Sequence, residues 1–305
     1  MLKIKSTPSV IGANMACFMA MLMWAVGFPA GEILLETWGT ISLLSVRILL
    51  AVCLLMISWI VTEGITTVLG AAWGRGIVVG GIGFGFGSIL LLLGQKMSDP
   101  ITPAIIVAMM PIVGVAIEVV FDKRKIHVQL LGGILLTIVG GMLATGVRVL
   151  DGSFSLGALF CLLAICFFGW ATRKTTRDFQ TLSSLGQTTV TMFGALVMTL
   201  FVHVSSLLLG FGETNIGNID PQQIMLILIF SLPAIAISQL LWIWAAGGLG
   251  ILLASLHMNA VPFYVMVLVS MFLGDPWGWD QAIGGALVAT GVFLAQAHRM
   301  KKAGS

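Results

Sequence analysis

Charged side chains are scarce in this sequence: only 9% of its 305 residues are Asp, Glu, Lys or Arg, whereas 58% are apolar. A soluble domain of this length needs many more polar side chains to cover its surface, so the scarcity excludes a water-soluble fold. Apolar stretches of about 17 to 25 residues, long enough to cross a hydrocarbon layer of about 30 Å, recur along the whole chain. The composition therefore predicts an all-α integral membrane protein in contact with a lipid bilayer.

Several motifs and residue types that define other protein classes are also missing or rare. The four cysteines, Cys17, Cys53, Cys161 and Cys166, lie in apolar stretches without metal-ligand spacing, so we expect no disulfide, metal site or cofactor. The glycine-rich residues 76–87 lack the closing Gly-Lys-Ser/Thr of a phosphate-binding loop, which argues against direct use of nucleotide hydrolysis. The net charge of +3 comes from loop lysines and arginines that orient a membrane protein, so nucleic-acid binding is not implied.

Cutting the chain at charged and turn residues gives ten candidate spans. We number them 1 to 10 and predict them at residues 11–31, 41–61, 77–94, 101–121, 128–147, 156–172, 185–209, 224–249, 251–273 and 281–297. Residues 224–273 contain no Lys, Arg, Asp or Glu, yet about 50 residues must cross twice. Gly247, Gly248 and Gly250 supply the only plausible hairpin between spans 8 and 9.

The basic residues are distributed unevenly between the two sides of these spans. If the amino terminus is cytoplasmic, twelve lysines and arginines fall on the cytoplasmic side and only Lys96 and Arg148 fall outside. Positive charge accumulates on the cytoplasmic side of membrane proteins. We therefore predict a multi-pass protein of the cell (inner) membrane with both termini in the cytoplasm.

Short motifs recur between the two halves of the sequence. A Pro-x21-Gly-x6-Gly pattern occurs twice at a separation of 151 residues, first as Pro111, Gly133 and Gly140 and then as Pro262, Gly284 and Gly291. A Trp-Ala pair also occurs in both halves, at Trp24 in span 1 and at Trp170 in span 6. Five spans in each half is an odd number, so the second copy enters the membrane from the opposite face. We predict two inverted five-helix repeats, residues 1–150 and 151–305, with a substrate site between them.

These residues resemble the drug/metabolite transporter superfamily, in particular its ten-helix EamA-type members, over residues 11–297. The resemblance rests on the repeated tryptophan and proline, on Arg47 early in span 2, and on the glycine pairs that follow Gln129 and Gln281. Where the family usually has Gly-Glu after spans 4 and 9, this chain has Phe121-Asp122 and Gly274-Asp275. The resemblance implies transport of a small organic solute, a class that includes amino acids, nucleosides, sugars and cationic drugs.

Seven side chains are candidates for a substrate cavity. Converging rings with no net charge suit a solute with an apolar or cationic part, through stacking and cation–π attraction of roughly 0.5 to 2 kcal/mol per contact. The helical spacing groups them as one-turn or one-face neighbours within spans 1, 8 and 9. The substrate-binding candidates are Trp24, Phe28, Trp170, Gln239, Trp242, His257 and Tyr264. Aromatic residues also serve as packing and interface anchors, and this alternative stays open for each of them.

Few ionisable groups lie at membrane depth. Arg47 fits either a structural cation near the outer headgroups or a gating or coupling role, and Glu118 fits an interfacial ion pair. His257 is either an interhelical hydrogen-bonding group or the residue that couples transport to a proton. Trp38, Trp277 and Trp279, beside loops, are predicted to anchor the chain at the membrane interface.

The sequence thus favours a secondary transporter over an enzyme. The transporter is predicted to move small neutral, zwitterionic or cationic metabolites, such as amino acids or amines, by alternating access. Dianions should be poorly accepted, because the seven candidates include no fixed charge. The alternative from another class is an intramembrane hydrolase that uses Ser88 as nucleophile and His257 as base. The sequence does not indicate the oligomeric state.

Overall fold

The computed structural model describes residues 9–98, 101–122, 132–133, 135–136, 139–140, 143, 156–210, 212–274 and 278–303. Regular structure among these residues is helical, without a strand. Within these described ranges, seven helices are long and apolar enough to cross a membrane: Val10–Leu35, Thr40–Glu63, Trp73–Lys96, Ile101–Phe121, Leu156–Asp178, Ser184–Leu209 and Pro221–Leu249. They coincide with predicted spans 1 to 4 and 6 to 8, which confirms the all-α membrane fold.

The remaining predicted spans are less completely described. Span 9 corresponds to three consecutive pieces, Ile251–Ser255, a 3-10 turn Leu256–Ala260 and Val261–Phe272, and span 10 corresponds to the helix Trp279–Ala303. Span 5 lies largely outside the described residues, and Arg148, Trp277 and the loop 123–127 lie wholly outside them. The predicted hairpin between spans 8 and 9 is present, because the helix ends at Leu249 and Gly250 takes a left-handed φ of 79°.

Prolines interrupt three of the spans. Span 1 is divided at Val26 into Val10–Ala25 and Gly27–Leu35, and Pro29 removes the N–H that would bond the carbonyl of Ala25. Span 4 is divided before Pro111 into Ile101–Val107 and Met110–Asp122, and the 3-10 turn of span 9 precedes Pro262. Prolines inside apolar spans favour such interruptions, because each removes one backbone hydrogen bond of the helix.

Two spans contain a widened π-helical segment in their middle. In span 3 the segment is Gly80–Phe86, and in span 8 it is Leu232–Ile237, which contains Pro233. A π segment inside an α-helix is rare and frequently marks a functional site. Spans 3 and 8 hold the same position, the third, in the two predicted five-span halves.

The helices of one predicted half pack mainly on helices of the other. Span 1 lies along span 8, with the start of one helix beside the end of the other, and span 3 lies along span 6 in the same antiparallel sense. Span 2 packs on span 7, also antiparallel, since Ser45 near its start hydrogen-bonds His203 near the end of span 7. A continuous core therefore crosses the boundary between the two halves.

The glycines of span 3 permit close approach to two neighbouring helices. A Cβ placed at Gly80 would lie 1.7 Å from the carbonyl oxygen of Thr191 in span 7, and one at Gly94 would lie 2.4 Å from the Cys161 sulfur in span 6. Small residues have this role in membrane helices, where packing replaces the hydrophobic effect between helices. The glycine-rich stretch is therefore a packing surface.

Opposite ends of span 2 meet polar groups from the second half. Gly39, which precedes the first helical residue of span 2, has no side chain to cap the helix, and the Glu213 carboxylate accepts hydrogen bonds from the Thr40 N–H and hydroxyl instead. At the far end, the Glu63 carboxylate accepts a hydrogen bond from the hydroxyl of Ser183, the residue that caps span 7. The start of span 2 is therefore contacted by Glu213, just after the end of span 7, and the start of span 7 is contacted by Glu63, at the end of span 2.

Trp38 is not a membrane-interface anchor, contrary to the prediction. Its side chain is buried, and its indole N–H donates to the Gln223 side-chain oxygen at 3.1 Å. The tryptophan joins the turn after span 1 to the start of span 8. Trp279, by contrast, is exposed as predicted for an anchor.

Candidate functional site

A cavity of about 70 Å³ lies between the two halves of the bundle. This volume admits several water-sized groups, since one water needs about 10 to 15 Å³ on the same scale. The first half contributes Met21, Trp24, Gly27, Phe28, Arg47, Phe84, Ser88, Leu91, Leu92, Gln95 and Met110 to its wall. The second half contributes Phe168, Thr172, Met192, Phe230, Ile235, Ser238, Gln239, Trp242 and Met258.

Four of the seven predicted substrate-binding residues line this cavity: Trp24, Phe28, Gln239 and Trp242. Trp24 and Phe28 form an edge-to-face pair, with ring centroids 5.6 Å apart, one turn from each other on span 1. Across the cavity, the Trp242 indole N–H donates to the Thr172 hydroxyl at 3.2 Å and thereby joins spans 8 and 6. The structure brings these aromatic rings together around one space.

The other three predicted residues lie outside the wall of this cavity. Trp170 is half-buried, and span 6 turns Phe168 and Thr172 toward the cavity, whereas a residue two positions from each faces a different side of the helix. Tyr264 stacks edge-to-face on Phe18, with centroids 6.0 Å apart. The echo of Trp24 by Trp170 in the sequence does not extend to an equivalent place in the cavity.

His257 also lies outside the cavity wall, to which span 9 contributes the next residue, Met258. Its Nδ1 lies 3.3 Å from the carbonyl oxygen of Ala254, three residues earlier in the same span. The hydrolase alternative required Ser88 and His257 in one site, and only Ser88 lines the cavity. The structure therefore does not place Ser88 and His257 together in this cavity.

Arg47 also lines the cavity, and this position decides between the two places that the sequence left open for it. It is only 7% exposed and lines the cavity, so it is not a cation at the outer headgroups. Its Nε donates to the carbonyl oxygen of Phe230 at 2.8 Å, and its guanidinium carbon lies 3.6 Å from the centre of the Phe230 ring. The carbonyl belongs to the turn before Pro233, where the regular hydrogen-bond pattern of span 8 changes.

Gln95 is a second residue that the sequence interpretation did not select. The side chain is buried in the cavity wall, and its Nε2 donates to the Phe28 carbonyl at 2.9 Å and to Glu32 Oε2 at 3.2 Å. Gln95 thus fixes the end of span 3 against the second piece of span 1. In the sequence, Gln95 stands beside the lysine that ends an apolar span, and this position is equally consistent with exposure to solvent. The sequence alone therefore does not indicate that Gln95 lines the cavity.

Both π segments contribute to the wall. Phe84 belongs to the segment in span 3 and Ile235 to the segment in span 8, and Phe84 stacks obliquely on Phe168 with ring centroids 6.3 Å apart. Gln239 follows one turn later, and its buried Nε2 has no hydrogen-bond acceptor in the described part of the chain. The wall therefore combines aromatic rings with two donors that have unused capacity, the Gln239 amide and the Arg47 guanidinium.

Comparison with known proteins gives the family of the chain. The sequence model of the EamA-like transporter family matches residues 11–146 and, a second time, residues 155–296. The chain belongs to the EamA-like transporter family. This EamA-like chain is accordingly a multi-pass membrane protein of the drug/metabolite transporter type, and the family match repeats in the two halves where the sequence motifs repeat.

One solved crystal structure of a protein with 16% identical sequence has the same fold as this EamA-like chain. The two superpose with a TM-score of 0.69 over 96% of this chain and 99% of the other. At this identity the likeness concerns the fold alone. No curated protein sequence matches the chain.

Proposed function

We propose that this chain is a secondary transporter that moves a small organic metabolite across the cell (inner) membrane through the cavity between its halves. The proposal rests on one observation: the cavity wall is built from both halves, with aromatic rings and few polar groups. Largely apolar pockets with a few placed polar groups bind small organic molecules. A site between two repeats is also where rocking of one repeat against the other would alternate its access.

The architecture that we propose is ten spans arranged as two inverted repeats, residues 1–150 and 151–305, with both termini cytoplasmic. Span 1 lies antiparallel to span 8, and span 3 lies antiparallel to span 6. In an inverted repeat, spans 1 and 3 correspond to spans 6 and 8, so the two pairs are equivalent. The π segments in the third span of each half and the reciprocal contacts of Glu63 and Glu213 support the same relationship. The pair of Lys96 and Glu213 joins two groups that the topology assigns to the outer side.

The solutes that we propose are small and neutral, zwitterionic or cationic, such as amino acids or amines, with dianions poorly accepted. Apolar and aromatic side chains provide most of the wall, so a large charged group would lose more hydration than it regains. We propose no catalytic role, although Ser88 lines the cavity. Labelling of Ser88 by a fluorophosphonate, abolished in Ser88→Ala, would favour the hydrolase alternative.

Counterflow in protein-only liposomes tests the transport proposal. Amino acids, quaternary amines, nucleosides and sugars are first screened by thermal shift, since a ligand at a hundred times its dissociation constant stabilises a fold by about 2.7 kcal/mol. Solutes that stabilise the protein should then exchange across the liposome membrane, and Trp24→Ala or Trp242→Ala should reduce this exchange. The exposed Trp279 provides the matched control, Trp279→Ala. Binding without exchange in any liposome preparation would contradict a carrier function.

A proton is the coupling ion proposed from the sequence, through His257. That histidine is the neighbour of a cavity residue rather than part of the wall. His257→Gln keeps hydrogen-bonding capacity but cannot titrate, so it should flatten the dependence of transport on pH between 8 and 6 if the histidine couples transport to a proton. An unchanged profile would assign coupling elsewhere.

A further inference from the structure

Arg47 is a buried cation without a counter-charge. No carboxylate pairs with it anywhere in the part of the chain that the structure describes, and 93% of its surface is removed from solvent, since it is 7% exposed. A guanidinium remains protonated in proteins, so it cannot escape burial by losing its charge. Buried charges in proteins are almost always paired, because an unpaired charge in a medium of low polarity is costly.

The contacts that Arg47 does make leave most of its hydrogen-bonding capacity free. The carbonyl oxygen of Phe230 accepts a hydrogen bond from Arg47 Nε, and the Phe230 ring covers one face of the guanidinium. A guanidinium carries five N–H donors, and four of them belong to the two terminal nitrogens. Among the described residues, these terminal nitrogens have no hydrogen-bond acceptor and no acidic partner. They belong to a residue that lines the cavity.

The free end of Arg47 lies against span 1 at Gly27. One terminal nitrogen, Nη2, is 3.3 Å from the position that a Cβ on Gly27 would occupy. Gly27 lies between Trp24 and Phe28 in the chain, and all three residues line the cavity. A group held by the guanidinium would therefore have apolar rings beside it for the rest of the solute.

We propose that the transported solute carries one carboxylate group and that the terminal nitrogens of Arg47 bind it. This inference rests on the proposed transport function and specifies the substrate class of the same cavity. A planar carboxylate accepts two parallel N–H bonds from a guanidinium, which supplies the missing counter-charge and the missing acceptors together. Of the solutes proposed above, this assignment retains zwitterions such as amino acids, excludes amines without a carboxylate and adds monocarboxylates. The sequence interpretation expected no fixed charge in the cavity, and the position of Arg47 in its wall replaces that expectation.

The single positive charge also selects against a phosphate ester. A phosphate group carries about 1.5 to 2 negative charges near neutral pH, so one guanidinium would leave part of that charge unpaired. Among the residues that the structure describes, no other arginine or lysine contributes to the cavity wall. A monocarboxylate, with or without an amino group, matches the charge of the site, whereas an organic phosphate exceeds it.

Matched solutes that differ only at the carboxyl group test this assignment. Leucine, phenylalanine, isovalerate and 3-phenylpropionate are each compared with the corresponding carboxamide, and phenethyl phosphate is added as a dianion. The readouts are thermal shift of the purified full chain and counterflow in liposomes. For at least one pair the acid should bind the wild-type protein about tenfold or more tightly than its carboxamide, the ratio expected for loss of a hydrogen-bonded charge.

Variants of Arg47 identify the residue responsible. Arg47→Gln should reduce the ratio of acid to carboxamide affinity to about one, and Arg47→Lys should preserve part of it, because lysine keeps the charge but loses the bidentate geometry. Arg75, an exposed arginine at the start of span 3, provides the control Arg75→Gln, which should retain the wild-type ratio. If Arg47→Gln does not fold, Arg47→Lys takes its place, and an unchanged ratio of acid to carboxamide affinity in Arg47→Lys overturns the role of Arg47.

The outcomes separate this inference from the transport proposal. Carboxamides that bind and exchange as well as their acids overturn the carboxylate assignment and leave a transporter. A preference for acids that persists in Arg47→Gln also overturns it, because Arg47 would then only support the Phe230 carbonyl. Phosphate binding as tight as carboxylate binding overturns the monoanion assignment. Absence of counterflow for every solute, acids included, overturns the transport proposal as well.

Discussion

The Glu213 carboxylate caps the start of span 2 from a loop that follows span 7. One of its oxygens, Oε2, accepts the Thr40 N–H at 3.0 Å and the Thr40 hydroxyl at 2.7 Å, and the other accepts a hydrogen bond from the Lys96 ammonium group. Three separate parts of the chain meet at this acid, two from the first half and one from the second. The contact therefore holds the start of span 2 and the end of span 3 to the loop between spans 7 and 8.

The ionisation of Glu213 should make this contact sensitive to acid. Partial burial acts to raise the pKa of Glu213, but hydrogen bonds from Lys96 and Thr40 outweigh it and lower the pKa to about 2. A depressed carboxyl pKa stabilises the folded state above the ordinary value near 4.5, and this stabilisation is lost as the pH falls toward 2. Glu213→Gln should lower the melting temperature at pH 7 by about 1 to 3 °C, a small effect because the side chain is partly exposed.

Thermal unfolding of purified protein at pH 7, 5 and 3 provides the measurement. The deficit of Glu213→Gln should be nearly the same at pH 7 and 5 and smaller at pH 3, where the wild-type protein has lost part of the stabilisation. Glu36 is exposed near the same end of the bundle, so Glu36→Gln is the matched control and should change little. A deficit that does not depend on pH would show that the charge of Glu213 does not contribute.

Gly39 should be essential for the same contact for a steric reason. A Cβ at Gly39 would lie 2.4 Å from both the carbonyl carbon and the carbonyl oxygen of Glu213, and these backbone atoms cannot move aside as a flexible side chain would. Gly39→Ala should therefore displace the loop and lower the melting temperature more than Glu213→Gln does. No heavy atom of the described residues lies within 4 Å of a Cβ placed at Gly212, so Gly212→Ala in the same loop is the control.

Cysteine scanning tests the topology. Asn218 and Gln180 are both exposed, in the loops between spans 7 and 8 and between spans 6 and 7. In a background without the four native cysteines, an impermeant thiol reagent added outside intact cells should label Asn218→Cys and leave Gln180→Cys unlabelled. Gly217 would be a poor site in this loop, because a Cβ there would lie 2.2 Å from the Trp38 ring. Labelling of Gln180→Cys alone would reverse the assignment of both termini.

The sequence predicts the limits of the seven described spans well, because length and hydropathy determine which segments cross a membrane. It predicts poorly which side of a helix faces the cavity. Lipid-facing and buried sides are both apolar, so no amphipathic pattern distinguished Trp170 from Phe168 and Thr172. The depth of Arg47 stayed open in the sequence for a related reason: a long side chain can extend to the headgroups or fold inward, and only the contact with Phe230 decides between them.

Gly27 should be a sensitive position in the cavity wall. A Cβ there would lie 3.0 Å from the Ala234 side chain and 3.3 Å from Nη2 of Arg47, so a methyl group needs room on the side of span 8 and on the side of the guanidinium. Ala234 is fully buried and belongs to the π segment of span 8, whereas the guanidinium end of Arg47 can shift. Gly27→Ala should therefore displace Arg47 and weaken solute binding by about tenfold, the loss expected for one charge-assisted hydrogen bond.

Binding of a solute identified by thermal shift measures this effect. Gly247→Ala, at an open position near the end of span 8, is the matched control and should bind as the wild-type protein does. Gly27 lies within a helical piece of span 1, and its φ is not in the left-handed region, so the methyl group of Gly27→Ala should not by itself unfold the helix. Gly27→Ala should thus lose more affinity than stability. Wild-type affinity in Gly27→Ala would mean that the guanidinium does not take part in binding, because the added methyl group occupies the space beside its terminal nitrogen.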